Sequence, residues 1–438
     1  MMKSQSIAVR QLPRNVLALW MITSGLTAVC LLSEYVCYRL GYRDAQYVWP
    51  FIPFYGFIDF YCFGARFHFL HQAAFFSTAS THGLTFMYPA PVAMLYALCY
   101  RLPAHGIRYY LAFTFAALLL LEVPLGSAMR IRGVSRATTF LFLGSMTLLS
   151  YPLWFEYLLG NMEMVIFLIV ASGLVAFLRG NYFLAAALFG VAASMKLFPL
   201  VYFGLLLARK QFREIFFGIG VAATSTLFSL WLICSSLKVA WAGISAGLKQ
   251  FQIRYMLPVL NPETGFDHSL FALIKRFMHS VLHVTMTPLM VDVYLAIAAS
   301  TGLWLFFRVI WRLPLLNQML SLTVASILLP PTSHDYTLLH LYVPAALLLL
   351  FSIDAARAGR KIPGLTAAWV CIAVALAPES ELIFHHASFG GQVKCIILIA
   401  LFLVTLRYPF ALQGSGTAIG ARAESDGTGP HAFASAVS

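Results

Sequence analysis

Apolar runs separated by short polar breaks recur along most of this chain, and their lengths predict helices rather than strands. The first run covers about residues 15–36, and further candidate spans lie near 88–100, 109–129, 137–158, 161–178, 184–208 and 214–236. After a polar interruption at 237–285 the pattern resumes near 286–307, 314–330, 336–353, 364–383 and 391–411. Runs of this length fit about twelve membrane-crossing helices. The segment 37–87 is a long first loop rich in aromatic residues and His. Within it, 57–76 is too polar to span and too apolar to stay in water, which predicts an interfacial helix. Residues 413–438 are small, polar and rich in Gly and Ser, the composition of a disordered tail, so 1–412 form the folded domain. No internal repeat stands out.

Composition agrees with the pattern. Of 438 residues, 61% are hydrophobic and only 10% charged, with a mean hydropathy of +0.82. A soluble domain carries about 25% charged residues. The chain is therefore an integral, all-α polytopic membrane protein. Its 29 basic and 16 acidic residues leave a net charge of +13. The basic residues sit in short clusters between apolar runs, as orientation signals do. No basic stripe with interleaved aromatics exists, so nucleic acid is not an expected partner. The seven Cys form no close pairs and suggest neither disulfides nor zinc. The first run lacks a small-residue cleavage site and reads as a retained helix.

Lys3, Arg10 and Arg14 predict a cytoplasmic start, and Arg209, Lys210, Arg213, Arg308, Arg312, Arg357 to Lys361 and Arg407 predict further cytoplasmic turns. The tail is then cytoplasmic too, and 37–87, 237–285, 331–336 and 379–390 face outward. Placing Arg130, Arg132, Arg136 and Arg179 inside makes 181–208 a hairpin broken at Met195 to Pro199, with Lys196 near the outer face. Arg101 and Arg108 also look cytoplasmic, although a single run separates them from Arg130. Either that run, which holds Pro124, does not span fully, or 184–208 is one through-helix.

The same side of the membrane collects most of the polar residues. Ionisable groups in a membrane are costly and usually functional. Asp59 is either a partly desolvated base or the N-cap of the interfacial helix. Tyr88, before Pro89, suits an interface or a site. Asn161 and Glu163 form a turn and first helical turn, or bind substrate. Lys196 follows an apolar run and either snorkels or meets a phosphate. His334 and Asp335 follow Pro330-Pro331 and can orient a substrate or merely form a loop. Arg254 and Asp267-His268 lie in the second polar loop, as solvated residues or phosphate ligands. His385-His386 lacks a third ligand, and no paired-carboxylate motif stands on the outer face, so no metal site is expected.

These pieces occur in a familiar order: Ile58-Asp59-Phe60-Tyr61, Phe86-Met87-Tyr88-Pro89-Ala90-Pro91, Gly160-Asn161-Met162-Glu163, Met195-Lys196-Leu197-Phe198-Pro199, Asp267-His268-Ser269-Leu270, and Pro330 to Tyr336. In that order the chain resembles the multi-pass glycosyltransferases of the C-type fold, most closely glycosyltransferase family 87. It departs from the family's more frequent Tyr-Pro-Pro and Trp-x-His forms, which bears on substrate more than on reaction. The resemblance implies about twelve transmembrane helices and a long first outer loop. It also implies a mannosyltransferase-like activity that moves a hexose from a polyprenyl-phosphate donor to a lipid or glycan hydroxyl with inversion. The active site would lie on the outer face of the cell's inner (plasma) membrane. Asp59 would be the base, with Tyr61, Tyr88, Asn161, Glu163, Lys196, Arg254, His268, His334 and Asp335 contacting substrates. The partners are the lipid bilayer, the donor and the acceptor, with no cofactor. The competing reading is a transporter or flippase of a lipid-linked anionic sugar.

Overall fold

A computed structural model gives the fold, and it describes residues 12–41, 57–72, 75, 88–102, 106–259, 262–378 and 389–411. Among the described residues every regular element is helical. In chain order these are α1 (Arg14–Arg39), α2 (Ile58–Gly64) with a 3₁₀ turn (Ala65–Phe69), α3 (Ala90–Arg101), α4 (Gly106–Ile131), α5 (Arg136–Leu148) and α6 (Tyr151–Leu159). Next come α7 (Glu163–Leu178), α8 (Tyr182–Met195), a 3₁₀ turn (Phe198–Tyr202), α9 (Phe203–Ala208) and α10 (Phe212–Ile233). The last group is α11 (Leu237–Phe251), α12 (Leu270–Leu282), α13 (Pro288–Arg308), α14 (Leu315–Leu328), α15 (Tyr342–Arg357), α16 (Leu365–Leu376) and α17 (Gly390–Arg407).

Six of these, α1, α4, α10, α13, α17 and α15 with its preceding 3₁₀ turn from Asp335, are long and apolar enough to cross a membrane. The remaining apolar runs are shorter helices or are broken. The run 137–158, expected as one span, divides into α5 and α6. Pro152 cannot continue a helix interior, so the chain restarts there, and Ser150 caps the new helix by accepting from Leu153 N–H at 3.2 Å. The segment 237–285, expected as a polar loop, contains α11 and α12. Their polar residues sit on one helical face rather than in loop positions. Of the segment 57–76, expected as an interfacial helix, the described residues form α2 and its 3₁₀ turn, Ile58 to Phe69. The expected tail 413–438 and most of the 379–390 turn lie outside the described residues.

The chain doubles back at Lys196. Phe189 in α8 stacks on Tyr202 at 5.6 Å and meets Phe203 at 6.3 Å, so α9 returns alongside α8. The turn follows from Pro199, which ends the α8 run. Small residues let α8 lie close to α10: a Cβ on Gly190 would sit 2.2 Å from the Gly218 carbonyl oxygen. On its other side α8 packs antiparallel to α7. Asn181 starts α8 by accepting from Leu184 N–H at 3.2 Å. The two arms, 16 and 14 residues long, are nearly equal. Their equal lengths bring Glu163, at the start of one, level with Lys196, at the end of the other.

The contacts place Arg101 and Arg108 at the opposite end of α4 from Arg132. Tyr110, in the first turns of α4, hydrogen-bonds the Asn161 carbonyl. Arg132, just past the other end of α4, pairs with Asp354 at 3.0 Å. α4 therefore runs the full distance in spite of Pro124, which membrane helices tolerate. Arg101 and Arg108 lie at the Asn161 end, opposite Arg132. The run that falls short is α3, whose 12 residues rise about 18 Å. Among the described residues, the two larger of three apolar clusters both include α7: Ile166 and Val170 belong to one, Met164 and Phe167 to the other. The start of α7 is thus held from both sides.

Candidate active site

Four sequence-selected residues converge at the Gly160–Glu163 turn. Gly160 ends α6 in the left-handed conformation, with φ of 61°. A side chain there would be strained and would press on Phe60 and Phe57 of the α2 segment. The turn projects Asn161, which is almost fully buried, toward Asp59 and Tyr88. Its Nδ2 donates to Asp59 Oδ2 and to the Tyr88 hydroxyl, each at 2.7 Å. Its Oδ1 accepts from Glu163 N–H at 3.0 Å. A backbone N–H can only donate, so the amide cannot be flipped. Asn161 therefore fixes one oxygen of Asp59 from a rigid base. Asp59 itself is in the first turn of α2, and the N-cap position is Phe57. The capping role weighed for Asp59 is thus not the one it occupies. The first-turn place still favours a carboxylate through the helix dipole.

Glu163, fully buried, binds two partners. Lys196 Nζ donates to its Oε2, and His340 Nε2 lies 2.8 Å from its Oε1. The Lys196 ammonium also lies 4.8 Å from the Tyr336 ring centre and 5.9 Å from that of Tyr88, within cation–π range. Tyr88 thus joins the Asp59 pair to the Lys196 pair. The Lys196 side chain keeps 20% of its surface exposed, whereas Glu163 keeps none. One of the three ammonium donors is fixed by Glu163.

A second polar knot gathers the later motifs. Asp267 Oδ1 accepts from the backbone N–H groups of Ser269 and Ser333, each at 2.9 Å, and so ties the two loops together. His268 Nε2 lies 3.2 Å from the hydroxyls of both Ser333 and Thr337. Burial pushes the Asp267 carboxyl up and holds the His268 imidazole well below its ordinary range, so His268 is neutral. Asp335 is fully buried. Its Oδ1 accepts from Lys394 Nζ at 2.6 Å and its Oδ2 from the Tyr151 hydroxyl at 2.8 Å. With both oxygens engaged, Asp335 braces the loop rather than reaching outward. His334 is half-buried against the Tyr336 ring, 5.7 Å between centres. Arg254 lies on a π-helical turn over the Tyr255 ring at 5.5 Å, and Tyr61 is exposed on α2.

Three ionisable residues of these networks escaped the sequence reading: His340, Lys394 and Glu156. Each stands in an apolar run, the same signal that singled out Lys196. Glu156 is fully buried, and its Oε1 accepts from Met164 N–H at 2.8 Å.

A profile of glycosyltransferase family 87 matches residues 86–331, more than half of the chain. The match takes in Tyr88, Asn161, Glu163, Lys196, Arg254 and His268. It begins after Asp59 and stops before His334 and Asp335. No curated protein and no solved structure matches. With an apolar helical bundle around a buried polar centre and more than half of its length matched, the chain belongs to glycosyltransferase family 87 and is a membrane glycosyltransferase.

Proposed function

We propose that the enzyme transfers a hexose, mannose before others, from a polyprenyl-phosphate donor to a lipid or glycan hydroxyl, with inversion, and that Asp59 is the general base. The observation that carries this reading is the hydrogen-bonded Asp59–Asn161–Tyr88 group beside the Lys196 ammonium. A carboxylate and an ammonium joined through one tyrosine match the two needs of the reaction. As the acceptor oxygen bonds to C1 of the sugar, its proton passes to Asp59. The bond from C1 to the phosphate oxygen breaks, and its electron pair leaves with the polyprenyl phosphate. A single displacement inverts C1. Lys196 compensates the phosphate charge with donors that Glu163 does not occupy. A lipid-linked donor suits a site set in an apolar bundle, where its tail stays in the membrane.

The test offers purified enzyme two radiolabelled donors, polyprenyl-phosphate-mannose and a nucleotide-linked mannose, with a total extract of membrane lipids and glycans as acceptor. Transfer from the lipid donor alone, into a product of opposite anomeric configuration, is expected. Transfer from the nucleotide donor alone would overturn the reading. For the side of the membrane, we propose that the Asp59 end faces outward and both termini face the cytoplasm. A membrane-impermeant maleimide applied to intact cells should label a cysteine placed at Tyr61 and miss one placed at Lys210. The reverse pattern would invert the topology.

A further inference from the structure

We infer that Glu156 is a positioning residue for the Asp59 site: from the end of α6 it caps the first turn of α7 and so sets where Asn161 holds Asp59. The inference rests on Asp59 being the base. A helix that begins inside a bundle leaves its first N–H groups without partners unless side chains supply acceptors. Three do so here. Tyr96 Oη accepts from Met162 N–H at 3.0 Å, Asn161 Oδ1 from Glu163 N–H at 3.0 Å, and Glu156 Oε1 from Met164 N–H at 2.8 Å. Glu156 grips the turn at both ends, because its backbone carbonyl also accepts from Gly160 N–H at 3.0 Å. The whole Gly160–Met164 segment is therefore strung between two atoms of one residue.

That segment carries Asn161, whose amide is the link to Asp59 and Tyr88. The Met164 and Glu163 N–H groups are neighbours in the same turn. Releasing the first loosens the second, and with it the amide that the second orients. Misplacing a catalytic group by about 1 Å can cost about 10²-fold in rate. Glu156 touches neither Asp59 nor Tyr88 by a hydrogen bond, so it acts through the turn. The Tyr110 hydroxyl beside the Glu156 carboxyl donates to the Asn161 carbonyl. An apolar replacement therefore removes one hydrogen bond to the turn, and a carboxamide keeps an oxygen where Met164 needs it.

The experiment compares Glu156→Leu and Glu156→Gln in the full-length enzyme, with polyprenyl-phosphate-mannose as the donor. It reads kcat, donor KM and amide hydrogen exchange across residues 160–166. Glu156→Leu should lose at least about tenfold in kcat with donor KM within about threefold, and should exchange faster over this segment. Glu156→Gln should restore both the rate and the protection. If Glu156→Leu does not survive purification, Glu156→Met replaces it, being unbranched like Glu. Wild-type kcat in the apolar variant would overturn the inference. So would a carboxamide variant as slow as the apolar one with unaltered exchange, since charge rather than capping would then matter. Asp59→Asn is measured in the same series. Full turnover in that variant would remove the base assignment, while the exchange data would still report separately on the turn.

Discussion

Replacing Asp59 by Asn separates chemistry from architecture at this site. Among the described residues the carboxylate accepts from Asn161 Nδ2 at 2.7 Å. An Asn at position 59 keeps an oxygen that can accept the same bond, so the loss is the charge-assisted part. Hydrogen bonds to charged groups contribute about 1.5–3 kcal/mol and neutral ones about 1 kcal/mol, so stability should fall by about 1 kcal/mol. The effect on rate is larger. General-base help is worth about 10²–10⁴-fold, equivalent to about 2.7–5.4 kcal/mol of barrier. An amide cannot take the acceptor's proton, so nearly all of that should vanish. The two magnitudes predict a protein that folds, binds donor and hardly turns over. The assay is single-turnover transfer from radiolabelled polyprenyl-phosphate-mannose at saturating enzyme, with donor binding and melting temperature on the same preparation. A rate within about threefold of wild type would refute the assignment. A lost rate accompanied by lost donor binding would point to a binding role for Asp59 instead.

Removing Lys196 alone should cost up to about 3 kcal/mol of stability, because fully buried Glu163 loses one of its two basic partners and keeps His340. Lys196→Met combined with Glu163→Gln should regain the melting temperature while donor KM stays raised, and recovery of KM as well would make Lys196 purely structural. Lys394→Met should destabilise the Asp335 loop in the same way. Adding Asp335→Asn should recover most of the loss, and additive losses in this double-mutant cycle would show that the pair is not coupled. The pH dependence of the second knot follows from His268, whose buried imidazole is held well below its ordinary value of 6.5. Unfolding releases it to take up a proton, so its contribution is complete above 6.5 and is lost as pH falls below that value. Asp267, pushed above its ordinary 3.8, works in the opposite sense, so the comparison is between wild type and His268→Asn. The variant should lose less melting temperature than wild type between about pH 6.5 and 5, and equal losses would exclude His268 as the source.

Much of the fold is written in single residues. The break at Lys196 is legible because Pro199 cannot continue a helix and the basic clusters require an even number of passes. The status of Arg101 and Arg108 is not legible that way. The positive-inside rule treats every cluster alike, whereas α3 is a 12-residue helix beside the site that returns its arginines to the end from which it came. The split of 137–158 could have been read from Ser150-Tyr151-Pro152, a cap followed by a helix-starting proline. The helices of 237–285 were hidden by composition, since an amphipathic helix averages to a polar segment unless its period is examined.

At the site, residue types showed which side chains carry charge but not which of them are consumed by one another. Asp59, Asn161 and Glu163 share a small volume because α2, the Gly160 turn and α7 meet there, and two of them are linked by an amide whose orientation the backbone dictates. Asp335 looked equivalent in sequence, yet Lys394, 59 residues later, occupies one of its oxygens. No spacing rule relates residues so far apart. The same reasoning distinguishes two carboxylates of this site, Glu163 and Asp59. Glu163 lies at the bottom of the α7–α8 pair, fully buried and held by two basic partners, and a base so restrained is poorly placed to approach an acceptor hydroxyl. Asp59 lies on a short helix at the edge of the bundle, half-buried, with one oxygen anchored by Asn161. Of the two, only Asp59 combines a fixed orientation with access, and that difference makes it the residue on which the proposed chemistry rests.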